Sequence, residues 1–393
     1  KKLGGTMRTF ILTLCIIIFL IVQGHEGRTI KKVIVVTRHG DRAPAMLFPN
    51  PKVYNPEFTC ETPTSVQISP LFNQINSPLF EVNLRTDGGQ LNGNCMMGKL
   101  TKRGMNQHLM LGTAFFDRYK SLISNMSDIY VESTDVPRTI KSAMHNLIGL
   151  LGMEAGKSSY PVRNIVVAEH KISDMEVNWW SSDAPCPLLK SVLDDIRAEE
   201  DWIKWYDDNV ELRKELATIF KLDKPAEVYP IFDNMNCVYA FNVTKPEGYT
   251  DEIHKRVHEY VEWEYNYIFK NPRMASYGIG HFLGRLVKAL SDDNKHSYNY
   301  YSGHDMTIGP LLVAMTNGNM PFWPPYASNI EIELYDDNTV RTLFQLNPIT
   351  VRGCNGEEYC PLENFLNGMA EVVPTDWKEK CHSVPSFTTT VFR

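Results

Sequence analysis

Residues 32–37, Lys-Val-Ile-Val-Val-Thr, run directly into residues 38–44, Arg-His-Gly-Asp-Arg-Ala-Pro. The first segment is a short, continuous β-branched run without polar alternation, the pattern of a strand buried on both faces of a parallel sheet. The second is polar and sets a histidine between two arginines. Loops at the carboxyl ends of parallel strands are where α/β proteins build ligand sites. Guanidinium groups recognise phosphate oxygens through planar, paired hydrogen bonds. Neighbouring positive charge disfavours a protonated histidine, so His39 should stay neutral and nucleophilic in mild acid. Gly40 would let the backbone turn tightly and approach a ligand. A basic surface turn with an incidental histidine has the same triplet, but the preceding strand and the second arginine favour a site.

Two further stretches fit the same chemistry. Residues 129–133 read as a second strand, and Asp135 with Pro137 opens a helix running to about Leu151. Arg138 then falls at a strand–helix junction, on the same sheet edge as His39 if the strands are parallel. Residues 297–301 read as another strand, followed by His304-Asp305 and an apolar helix. A helix start offers backbone N–H groups to an anion. His304 is placed to hydrogen-bond a phosphate, and Asp305 to protonate a leaving oxygen and then take a proton from water. Taken alone, Arg138 reads as a solvated residue and Asp305 as an N-cap.

The rest of the chain sets the frame. Thr101 is an expected N-cap for a helix through Tyr119, with Met105, Leu109 and Phe116 near one face. Between about 160 and 285 the pattern turns helical, with long stretches at 193–220 and 251–269. Trp179, Trp180 and Tyr239 in this region are candidates to line a leaving-group pocket, although aromatics at helical spacing are more often core. Residues 330–335 and 340–346 flank Asp336-Asp337-Asn338, a hairpin signal. Strand–helix alternation at both ends with a helical middle implies an α/β core, its central sheet mainly parallel with flanking helices, interrupted by an inserted α-helical cap. The expected division is 1–27 upstream residues and signal peptide, 28–159 core, 160–285 cap and 286–393 core.

Composition bounds the function. With 43% apolar and 11% aromatic residues over 393, the chain is globular rather than disordered. A formal net charge of −6 argues against general nucleic-acid binding. Residues 10–22 form a 13-residue apolar run, long enough for a leader but short of the roughly 20 residues that span a bilayer. A secreted chain with a cleaved signal peptide and no membrane span is expected, the lysosomal lumen being second choice. Eight cysteines, less Cys15 in the leader, leave seven, an odd number. Cys354 and Cys360 can close a short loop, Cys60 and Cys95 can staple the segment between them, and Cys186 and Cys381 are a long-range candidate. Cys237 is then left over, although spacing alone does not fix connectivity. Asn125 and Asn242 begin glycosylation sequons. No metal-ligand spacing occurs, and no cofactor is expected.

Together these stretches resemble the histidine acid phosphatases, the family of animal prostatic and lysosomal enzymes and fungal phytases. The resemblance rests on RHGxRxP at 38–44, STDVxRT at 133–139 and HD at 304–305, with echoes at 98–112, 324–328 and 360–363. It implies a phosphoglycerate-mutase-like α/β core with a helical cap. It also implies His39 as nucleophile, Arg38, Arg42, Arg138 and His304 as phosphate ligands, and Asp305 as proton donor. Ala43, where phytases usually carry tyrosine, favours the acid-phosphatase branch; secreted insect venom or salivary enzymes are the nearest type. Cys186–Cys381 and Cys354–Cys360 match family disulfides. Cys237 matches a third, but Asn329 occupies its usual partner position. Phosphate monoesters of small molecules or proteins are the expected partners, with homodimerisation left open. The alternative is a secreted phosphatase-fold binding or scavenging protein with little catalysis.

Overall fold

A computed structural model describes residues 27–60, 89–123, 128–152, 165–168, 173–181, 183–291, 293–318 and 320–382. The expected leader and Asn125 lie outside them. Strand β1 (Ile30–Arg38) lies at the centre of a mixed sheet. On one side follow β4 (Tyr298–Gly303), β2 (Ile129–Thr134) and β3 (Val166–Ala168), all parallel. On the other, β5 (Asn329–Tyr335) and β6 (Thr339–Phe344) run antiparallel. Two-residue strands β7 (Asn347–Pro348) and β8 (Cys360–Pro361) both pair with β6.

The all-apolar reading of β1 holds on both faces. Ile34 and Val36 enter one core layer, and Val33 and Val35 the other. The second layer is covered by α1 (Lys102–Tyr119) and α2 (Pro137–Gly152). Thr101 caps α1 by accepting from the Gly104 amide. The buried face differs from the expected one: Gly104, His108, Leu109, Gly112 and Phe115 turn inward, while Met105 and Phe116 are half-buried. Close packing is the reason. A Cβ on Gly112 would lie 2.0 Å from the Asn146 carbonyl oxygen, and one on Gly149 2.0 Å from that of Leu109. Apolar periodicity cannot report a face built from glycines.

Between β3 and β4 the described elements are helices, the main ones α3 (Leu188–Arg197), α4 (Glu200–Asp208), α5 (Val210–Phe220), α6 (Val228–Phe241), α7 (Asp251–Lys270) and α8 (His281–Ala289). The expected single stretch at 193–220 is thus three helices. Asn209 ends α4 and begins α5, its side chain donating to the Trp205 carbonyl. Helix α9 (Asp305–Thr316) follows β4; α10 (Leu362–Ala370) and α11 (Trp377–His382) end the described chain. The hairpin β5–β6 ends at Phe344 because Gln345 and Leu346 are both left-handed, with φ of 50° and 64°. Cys60–Cys95, Cys186–Cys381 and Cys354–Cys360 are bonded, and Cys237 is free and buried.

Candidate active site

Strand register assembles the site. Arg38 lies opposite Gly303 on neighbouring parallel strands, and Ser302 is opposite both Thr37 and Ser133. His39, His304 and Arg138 therefore leave the sheet at one edge. The loop after β1 is held from outside: Ser142 Oγ receives the Gly40 amide at 3.1 Å, Gln107 Oε1 the Asp41 amide at 2.8 Å, and His108 Nε2 meets the Arg38 carbonyl at 3.1 Å. Asp41 also accepts from Thr101 and pairs with Arg103. Gly40 is required for close approach rather than for a left-handed turn. A Cβ there would sit 2.3 Å from the Gly104 carbonyl oxygen.

The six residues proposed from sequence come together. His39, Arg42, Arg138, His304 and Asp305 line one cavity of about 680 Å³, and Arg38 pairs with Asp305 at 2.7 Å. The His39 Nδ1 lies 2.8 Å from the Gly40 carbonyl. A carbonyl only accepts, so Nδ1 carries the proton and Nε2 keeps its lone pair. Burial, then Arg138, Arg38, Arg42 and His304, hold the His39 pKa well below the usual histidine value. The ring is neutral in mild acid.

The arginines are not equivalent. Arg38 also donates to the Pro324 carbonyl and lies over the Tyr326 ring at 4.3 Å. Arg42 meets Asp233 at 2.6 Å; burial opposes its charge, but Asp233 outweighs this and raises its pKa well above the usual value. Arg138 has no ion-pair partner among the described residues, and its nearest hydrogen bond is to His304 Nδ1 at 3.3 Å. Burial, then Arg42, lower its pKa to about 10. An anion bound here would supply the missing countercharge.

Two residues escaped sequence reasoning, Asp233 and Glu176, while Tyr326 lay in the 324–328 echo without being given a role. Asp233 could have been suspected as the single charged residue of α6, where it is 4% exposed. Glu176 stands 3.6 Å from His304 Nε2, and burial raises its carboxyl pKa to about 7. It has no motif to reveal it. Of the aromatics singled out, Trp179 and Trp180 line the cavity. Tyr239 does not; it stacks on His254 with its hydroxyl on Asp251.

The profile of the histidine phosphatase superfamily (branch 2) matches residues 29–346, and the chain belongs to that family. It is a phosphatase, and family membership supports phosphate monoesters as its class of substrate. It is 27% identical over 377 residues to counting factor 60 of Dictyostelium discoideum, covering 91% of this chain and 89% of that one. It is 25% identical to bovine prostatic acid phosphatase, covering 91% and 89%. Lysosomal acid phosphatase of Xenopus laevis is 24% identical, covering 97% and 85%. Among solved structures, the tartrate complex of Hafnia alvei phytase superposes with a TM-score of 0.60 at 13% identity, over 89% of this chain and 98% of that one. That likeness concerns the fold.

Proposed function

We propose that the chain is a secreted acid phosphatase acting through a phosphohistidine at His39, with Asp305 as proton donor. The observation that carries this reading is the fixed tautomer of His39, whose Nε2 lone pair faces a cavity among arginines. The phosphoryl group docks among Arg38, Arg42 and Arg138, with His304 beside Arg138. These cations offset charge that spreads over the equatorial oxygens in the transition state. Nε2 forms the bond to phosphorus as the ester oxygen leaves with a proton from Asp305. Water then attacks the phosphohistidine, gives its proton to Asp305, and releases inorganic phosphate and free His39.

Secretion is supported by the apolar run at 10–22 and by three disulfides, which persist in oxidising compartments. Asn242 is exposed just beyond α6, where a glycan would fit. In this reading the sheet and its flanking helices form the catalytic core, and the cap over the leaving group lies within 160–285 but begins only after β3, which pairs with β2 in the sheet. Rapid alkaline quench after mixing with a ³²P-labelled monoester should trap base-stable, acid-labile phosphate on His39. Label on another residue would overturn the mechanism.

A further inference from the structure

The cavity extends beyond the arginines into a chamber of different chemistry. Its walls are aromatic: Trp179, Trp202, Tyr229, Tyr260 and Tyr265 all line it. Tyr229 and Tyr265 stand 5.3 Å apart, centroid to centroid, and Trp179 lies 5.9 Å from Tyr265. At the chamber's end α7 presents Glu264. Among the described residues no hydrogen-bond or ion-pair partner reaches this half-buried carboxyl, which lines the cavity. Glu227 lines the same end, and among the described residues the cation there is Arg197. Arg197 already lies over the face of Trp202, with Cζ 5.8 Å from the ring centroid. The wall thus holds one cation by its π-face, and two carboxyls outnumber that cation.

Resting on the proposed phosphatase reading, we infer that the distal chamber is a cation subsite, selecting monoesters whose leaving group bears an ammonium several bonds from the phosphate. Aromatic faces and a carboxylate in a desolvated recess are the elements that recognise ammonium groups. The same elements repel a second phosphate, so a polyphosphorylated leaving group is disfavoured. Tyr265, Glu264 and Asp305 line the same cavity, which places the subsite within reach of one extended substrate. Burial raises the Glu264 carboxyl pKa to about 7, Arg197 opposing and Glu227 reinforcing the rise. Selectivity for the cation should therefore grow as pH rises from 5 to 8. The phosphate-binding groups titrate alike for both members of a matched ligand pair and cancel in the ratio.

The test uses ω-aminoalkylphosphonates and alkylphosphonates of matched length, from three to eight carbons, with Kd measured by calorimetry on the whole protein. At the best length the amine should bind about tenfold tighter, which is about 1.4 kcal/mol. Glu264→Gln should bring that ratio to near one while leaving hydrolysis of p-nitrophenyl phosphate unchanged. An amine ratio of one at every length, or a ratio that survives Glu264→Gln, overturns the subsite. Binding is read apart from turnover. Absence of p-nitrophenyl phosphate hydrolysis would count against the phosphatase reading alone.

Discussion

Arg38 and Asp305 form an ion pair at the sheet edge, with Nη2 and Oδ2 2.7 Å apart and both side chains almost wholly enclosed. The pair couples a proposed phosphate ligand to the proposed proton donor. In the proposed mechanism a docking phosphoryl group would compete with Oδ2 for the guanidinium and free the carboxyl to act on the leaving oxygen.

Asp305→Asn should therefore be felt according to the leaving group. For an alkyl phosphate, whose alkoxide needs a proton, kcat should fall by about a thousandfold. For p-nitrophenyl phosphate the loss should be about tenfold or less. Steady-state kinetics on both esters decide it; equal losses would remove Asp305 from the proton-donor role.

Asp233 should act through Arg42, whose Nη2 it holds at 2.6 Å. Asp233→Ala frees the guanidinium to swing and should lower kcat for p-nitrophenyl phosphate by about tenfold or more, since small misplacements of positioning groups are costly. Asp233→Asn keeps an acceptor in place and should recover most of that loss. Failure of asparagine to do better than alanine would mean that orientation is not what Asp233 supplies.

His39 makes a prediction about stability. Its folded-state pKa is depressed, so below about 6.5 the unfolded chain binds a proton that the native state refuses. Native stability should drop as pH falls through that region, by at most about 1.4 kcal/mol per pH unit from this group. His39→Gln removes the term. Its loss of melting temperature between pH 7.5 and 5 should be smaller than that of the parent protein; an equal loss would contradict the depressed pKa.

Chelation should be without effect. The proposed mechanism gives the transition-state charge to three arginines, so EDTA should leave turnover unchanged while vanadate inhibits it. Lost activity restored by a divalent ion would refute this.

Gly149→Ala should destabilise the protein by about 3 kcal/mol or more, because the new methyl meets the Leu109 carbonyl at 2.0 Å and neither helix can retreat from the sheet. Urea denaturation measures it. A change below about 1 kcal/mol would show that α1 and α2 can separate cheaply.

The central strand, its loop and the strand ends carrying Arg138 and His304 were legible because each is a local pattern: an apolar run, then polar residues of one chemistry. The close contact of Gly40 with Gly104 was not legible, since it joins segments 64 positions apart and leaves no periodic trace. Nor were the breaks between α3, α4 and α5, where no glycine or proline interrupts the sequence and tertiary packing sets the ends. Glu176 lies in an irregular segment whose approach to His304 depends on the folded chain. Tyr239 met neither of its two readings, core or pocket wall, because a helical aromatic reads the same whether it faces a cavity, a core or solvent.

The Cys186–Cys381 bond spans 195 positions and ties the start of α3 to α11 near the end of the described chain. Everything from the third helix through the hairpin and α10 thus belongs to a covalent ring. A protease that nicks the exposed turn at Asp223-Lys224 opens that ring without releasing a fragment, and the pieces stay joined until a reductant acts. Outside the cell, where such cuts are frequent and reductants scarce, one break in the backbone would leave a single molecule with its sheet and helices still tethered together.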